Sequence, residues 1–168
     1  KTAYEIRPRD WSSDVCSSDL AVALAEAISA LKMGHAIAIY PEGTLTRDEK
    51  MWPMTGKTGA VRLALAAGAP LIPVAQWGDQ EILGPYSKRL RLFPPKIVNL
   101  KCGDPLDLSK WLGKVDDPVA MEEATAHAMR VLADMVGELR NETAPKELFD
   151  IRKSDLPRTG NFRKKPKK

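Results

Sequence analysis

The run His35-Ala36-Ile37-Ala38-Ile39-Tyr40, closed by Pro41, constrains the fold more than any other feature of this chain. A short, almost wholly apolar run ended by a proline predicts a strand covered on both faces. Two helical segments flank it. In residues 21–33, Leu24, Ile28 and Leu31 recur at i, i+4 and i+7, and Gly34 supplies a stop. In residues 55–67, Val61, Ala64 and Leu65 share one face, and Gly68 ends the pattern. Helix, strand and helix at such short spacing predict an α/β architecture, a mostly parallel sheet flanked by helices.

Further strands follow. Residues 71–76 read as a second strand, but Pro73 has no N–H to donate, so this strand must be short, bulged or at an edge. Residues 77–95 hold Gly84, Pro85, Pro94 and Pro95 and read as a long loop. Residues 96–102 alternate, with Val98, Leu100 and Cys102 on one side and Ile97, Asn99 and Lys101 on the other, the pattern of a half-buried strand. Asp117-Pro118 then opens a long helix to about Arg140, with Ala124, Ala128, Val131, Met135 and Leu139 as its core face.

The two ends read differently from the middle. The string from Asp10 to Leu20, DWSSDVCSSDL, has neither period and resembles a translated sequencing adapter. Residues 1–20 are therefore expected to be non-native, and the fold incomplete at its N-terminus. Residues 21–145 are expected to form the C-terminal part of a domain. Residues 146–168 carry nine Lys/Arg and three Asp/Glu and are expected to be a basic, disordered tail. The remaining 145 residues hold 17 basic and 19 acidic side chains, so the basicity of the chain belongs to that tail.

Composition excludes several classes. Two cysteines, Cys16 and Cys102, cannot make a disulfide scaffold or a cysteine-rich zinc site. No apolar run approaches the roughly 20 residues of a membrane-spanning helix, and the start lacks the apolar stretch of a signal peptide. A soluble or peripheral protein inside the cell is expected. The tail would attract any polyanion, a phospholipid surface or nucleic acid, or be a solvated end without a partner. Its shortage of aromatics argues against specific nucleic-acid recognition.

In α/β sheets, ligands bind beyond the carboxyl ends of strands, which directs attention to residues 41–57. Glu42, Gly43, Thr44, Arg47 and Lys57 lie there. Gly43 permits close backbone approach to a ligand. Arg47 and Lys57 are suited to a phosphate, the first through its planar fork and the second as a point charge. Lys57 is also placed at a helix start, where free N–H groups favour an anion. An ordinary turn with exposed charges would read the same way. Gly56-Lys57-Thr58 lacks the glycine five residues earlier that a phosphate-binding P-loop needs, since Met51 stands there. His35 and His127 have no acidic partner at a catalytic spacing, and no residue pattern points to a metal. Met51, Trp52, Pro53 and Met54 read either as an apolar lip at a membrane or as a packed loop.

The segments AIAIYPEGTLTRD, GKTGAVRLALAAGAPLIPVAQWG and LFPPKIVNLKCGDPLDLS resemble the 1-acyl-glycerol-3-phosphate acyltransferase family over about residues 21–113. Pro41-Glu42-Gly43-Thr44 followed some thirty residues later by Ile72-Pro73-Val74 matches two of the family's four signature blocks. The resemblance implies acyl transfer from acyl-CoA or acyl-carrier protein to lysophosphatidic acid, with no cofactor, by an enzyme peripheral to the cytoplasmic face of the membrane. It implies acceptor binding by Glu42, Gly43 and Thr44. Arg47 is a looser match, because Leu45 follows the threonine where the family commonly has arginine. Pro41 and Pro73 correspond to structural positions. The family's general base is a histidine in an H-x-x-x-x-D block, and this chain contains no such block. It is therefore expected to be an acceptor-binding part that is inactive alone. A competing expectation, from another class, is a non-enzymatic module that binds polyanions or membranes through its tail.

Overall fold

The computed structural model describes residues 17–156. Helix α1 (Ser17–Lys32) is followed by an extended stretch and the 41–57 loop, then by α2 (Gly59–Ala67). Strand β1 (Val74–Trp77), the one-turn helix α3 (Asp79–Ile82), strand β2 (Asn99–Cys102) and the long helix α4 (Pro118–Arg140) complete the order. Short 3-10 turns stand at Ser109–Trp111 and Ile151–Lys153.

Helix α4 organises the fold. Asp117 caps it, its carboxylate accepting from the N–H groups of Val119 (2.9 Å) and Ala120 (3.3 Å), and Pro118 occupies the first turn, where no N–H is needed. Asn141 ends it in the left-handed conformation. Two buried clusters line the face predicted from the sequence. Near the N-terminal half, Met121, Ala124 and Ala128 pack with Val61 and Ala64 of α2 and with Leu108 and Trp111. Near the C-terminal half, Met135 and Val136 pack with Trp52 and Ala75, with Val131 and Leu139 partly buried beside them. Helix α2 starts four residues later than the sequence predicts but keeps its predicted buried face and its Gly68 stop. Helix α1 rests on α2 through the half-buried Leu24, Ile28 and Leu31. It begins at Ser17, within the adapter-like string; the rest of that expectation lies outside the described residues.

The sheet departs from expectation. Among the described residues the only ladder is two-stranded and antiparallel, pairing Val74 with Cys102 and Trp77 with Asn99. The parallel sheet is not seen; a single parallel bridge joins Met54 to Phe149. Residues 35–40 are extended but pair with no described strand, and Tyr40 is 86 % exposed. An apolar run becomes a buried strand only where neighbours supply both ladders and both covering layers, and nothing described here flanks this one. Pro73 does what its chemistry requires. It stands just before β1, and its carbonyl accepts from the Gly103 N–H (2.9 Å).

Strand β2 turns its more apolar side to solvent. Its register puts Lys101 opposite Ala75, whose methyl points into the core against α4. Lys101 is thus on the helix side, where it pairs with Glu138, and Val98 and Leu100 are exposed. The predicted loop over 77–95 contains α3 at its start. The stretch 146–156, assigned to the tail by charge, folds back on the body. The Phe149 carbonyl accepts from the Thr55 N–H (2.9 Å), and Arg130 donates to the Lys146 carbonyl. The remainder of the tail lies outside the described residues.

Candidate functional site

The chain leaves the extended stretch through a tight turn in which the Gly43 N–H donates to the Tyr40 carbonyl (3.0 Å). Gly43 adopts φ +66°, a conformation that side chains resist. The loop then closes on itself. The Met54 N–H donates to Glu42 Oε2 (3.1 Å), the Lys57 N–H to the Pro41 carbonyl (2.8 Å), and the Thr46 hydroxyl to the Trp52 carbonyl (2.7 Å). Asp48 Oδ1 accepts from the N–H groups of Lys50 (2.9 Å) and Trp52 (3.1 Å). Two ends of a loop sixteen residues apart are thereby held side by side.

The consequence is a surface corner. Lys57 Nζ lies against Gly43, where an added methyl would sit 3.0 Å from the ammonium. Both residues are exposed, and Thr44 is half-buried next to them. Beneath them Glu42 points inward. Burial pushes its carboxyl up to about 7, against a smaller opposing effect of the Met54 N–H. A cation at the surface and a carboxyl that is part-protonated near neutrality suit an anionic, hydrogen-bonding ligand such as a phosphate ester.

Of the residues selected from the sequence, the structure brings Pro41, Glu42, Gly43, Thr44 and Lys57 together. Lys57 precedes α2 by two residues rather than starting it, and its N–H is taken by the Pro41 carbonyl. Arg47 goes elsewhere. It is 1 % exposed, its guanidinium lies 5.5 Å from the Tyr86 ring centroid, and burial lowers its pKa. Its N–H donates to Met54 Sδ (3.0 Å), so it sits under the loop while Lys57 is on the surface. Pro73 is in the strand region, outside the corner. Gly56 packs against Met129 and Thr125 of α4, an arrangement that serves packing and not phosphate binding. The apolar-lip reading is corrected too: Trp52 and Met54 are buried, because the loop folds back onto α4. His35 and His127 are exposed, the latter tilted against Trp111 at 5.7 Å.

Sequence reasoning missed the clamp behind the loop. Arg140, in the last turn of α4, is sandwiched between the rings of Trp52 (4.0 Å) and Trp77 (4.3 Å). It also donates to the Lys50 carbonyl (2.8 Å) and pairs with Glu142 (2.7 Å). Three residues from three elements meet there, and no local pattern in the sequence signals it.

Comparison with known proteins gives this corner its context. Residues 14–77 match the model of the Acyltransferase family. The 1-acyl-sn-glycerol-3-phosphate acyltransferase of Escherichia coli K12 is 32 % identical over 127 residues, covering 74 % of this chain and 46 % of that protein. The chain belongs to this acyltransferase family. The Bacillus subtilis 1-acyl-sn-glycerol-3-phosphate acyltransferase is 31 % identical over 114 residues, covering 67 % of this chain and 52 % of that protein. The crystal structure of the 1-acyl-sn-glycerophosphate (LPA) acyltransferase PlsC from Thermotoga maritima superposes with a TM-score of 0.52 at 28 % identity, over 73 % of this chain and 46 % of that one. The chain spans about half the length of the curated relatives it matches. The matched stretch contains the whole Pro41–Lys57 corner.

Proposed function

We propose that this chain carries the acceptor-binding part of an enzyme that acylates 1-acyl-glycerol 3-phosphate to phosphatidic acid. The donor is a fatty acyl thioester, acyl-CoA or acyl-carrier protein. The observation that supports this reading is the contact of Lys57 Nζ with Gly43 beside the half-buried Glu42, in a chain whose relatives are named for that reaction. Lys57 supplies a point charge to the headgroup phosphate. Gly43 leaves room for the phosphate next to the ammonium, and the Thr44 hydroxyl offers one further donor.

The reaction forms an ester C–O bond and breaks the thioester C–S bond. The acceptor hydroxyl gives up its proton to a base, and the thiolate leaves and is protonated. Among the corner residues Glu42 has a carboxyl near neutrality, but it points inward and is occupied by the Met54 N–H. Neither histidine of this chain stands five residues before an aspartate, the spacing of an H-x-x-x-x-D block, so the general base of the reaction is not among these side chains. General-base assistance contributes roughly 10²–10⁴-fold, so the chain alone binds acceptor and turns over little. The setting is the cytoplasmic face of the membrane that holds the acceptor.

Titration calorimetry of the full chain with 1-acyl-glycerol 3-phosphate and with its phosphate-free analogue tests this. Binding of the phosphorylated lipid, weakened about tenfold in Lys57→Gln, is the expected result. Equal binding of the two lipids would sink the reading. Rapid thiol release from acyl-CoA by this chain would overturn the assignment of the missing base.

A further inference from the structure

Between residues 83 and 103 the chain carries Lys88, Arg89, Arg91, Lys96 and Lys101 and not one Asp or Glu. This is unusual in a body, residues 1–145, whose acidic side chains outnumber the basic ones by 19 to 17. The segment is folded rather than loose. The Ser87 N–H donates to the Gly84 carbonyl (2.9 Å), the Arg89 N–H to Ser87 Oγ (3.1 Å), and the Arg91 N–H reaches back to the Ile82 carbonyl of α3 (2.8 Å). These bonds leave residues 88–95 exposed throughout.

Large apolar side chains stand among the cations there. Phe93 is 88 % exposed and Ile97 77 %, and Leu90 and Leu92 are each more than half exposed. Single exposed leucines are ordinary, but a concentration of this kind marks an interaction surface. Lysine is depleted from the core of protein–protein interfaces. Interleaved cations with aromatic and aliphatic side chains, and no acid, instead match the requirements of an anionic lipid surface, where apolar groups enter the headgroup layer and cations meet phosphates. The segment is also joined to the site, since Tyr86 at its root faces Arg47 beneath the Glu42–Thr44 corner.

We propose that the 88–97 loop is a docking surface for an anionic phospholipid bilayer. Leu90, Leu92 and Phe93 enter the headgroup layer, and Lys88, Arg89, Arg91 and Lys96 contact the lipid phosphates. This deepens the acyltransferase reading, because the lipid acceptor lies in such a surface, but docking itself needs no turnover.

The test is co-sedimentation of the full chain with vesicles of phosphatidylcholine, with and without phosphatidylglycerol. Binding to the anionic vesicles is expected, falling steeply with salt. Leu92→Ser with Phe93→Ser, and separately Arg89→Glu with Arg91→Glu, should each weaken it by about tenfold or more. All four side chains are exposed, so thermal melts should be unchanged and folding is not at issue. Replacing Lys164, Lys165, Lys167 and Lys168 by glutamine should leave most of the binding. Vesicle binding indifferent to the loop variants, or lost only with the tail lysines, would overturn the proposal. So would self-association, seen by light scattering and abolished by Phe93→Ser, in a chain that ignores vesicles. A chain that docks through this loop yet does not distinguish 1-acyl-glycerol 3-phosphate from its phosphate-free analogue would keep the docking surface and reject the acyltransferase reading.

Discussion

The ammonium of Lys57 rests against the α-carbon of Gly43, closer than a methyl group on that carbon would comfortably allow. Gly43→Ala therefore has two effects. The φ of +66° costs an L-residue about 1–2 kcal/mol, and the new methyl pushes the flexible lysine end away from the corner. A denaturant midpoint lowered by that amount is expected, together with weaker binding of 1-acyl-glycerol 3-phosphate. Undiminished affinity at reduced stability would separate Lys57 from headgroup binding.

Glu42 makes the fold sensitive to pH. Its carboxyl is raised by burial from 4.5 to about 7. A raised acid favours the folded state in its protonated form. The stabilisation is complete below about pH 4.5 and is lost as pH rises through about 7. The difference amounts to about 3 kcal/mol at most. Glu42→Gln, which stays neutral, should melt with little dependence on pH between 5 and 8, while the parent chain loses stability across the same roughly three units. Asp150 acts with the opposite sign, since Arg152 holds its carboxyl below the usual range. Its contribution falls away only in stronger acid. Parallel melting profiles for parent and Glu42→Gln would contradict this account.

Arg140 fastens the back of the 41–57 loop. Two indole faces and the Lys50 carbonyl engage one guanidinium whose side chain is 8 % exposed. Arg140→Ala should cost about 2–4 kcal/mol. Arg140→Lys should recover less than half, because an ammonium cannot stack between two rings and still reach a carbonyl. Urea titration followed by tryptophan fluorescence measures both variants. Equal stability of the lysine variant and the parent would remove the stacking argument.

Two neighbouring glycines should respond in opposite directions. A methyl at Gly56 would lie 2.9 Å from Met129 Cγ and Sδ, and Met129 is buried, so Gly56→Ala should destabilise by about 1–3 kcal/mol. At Gly59, the first residue of α2, a methyl meets nothing within 4 Å, and Gly59→Ala should stabilise by about 0.5–1 kcal/mol. Thermal melts of the two single variants decide this. A neutral Gly56→Ala would show that α4 yields at that point.

Several features could be read before folding because their causes are local. The face of α4 follows from a 3.6-residue repeat, and its start follows from Asp117 capping the N–H groups two and three residues on. The turn at Pro41–Thr44 and the stop at Gly68 likewise depend on a few adjacent residues. The grouping of Glu42, Gly43, Thr44 and Lys57 was legible because one loop joins them. Other features were not legible. Residues 35–40 carry the composition of a buried strand, yet burial requires neighbours that the run itself does not encode. Arg47 and Lys57 are both cations in one loop, yet one is inside and the other outside. That choice depends on where Tyr86 and Met54 come to lie.

Alternation in β2 illustrates the same limit, since period two identifies two faces without saying which is covered. Pairing of Lys101 with Ala75 over α4 decided that the apolar face would be the exposed one. The sequence by itself determined the buried faces of α2 and α4, the stop at Gly68 and the grouping of residues at the 41–57 corner, because each arises from contacts within a few residues or one loop. Only the tertiary structure decided the antiparallel pairing, the interior position of Arg47 and the Trp52–Arg140–Trp77 stack. Those depend on side chains brought together from distant segments, where burial and packing, not local propensity, set the free energy.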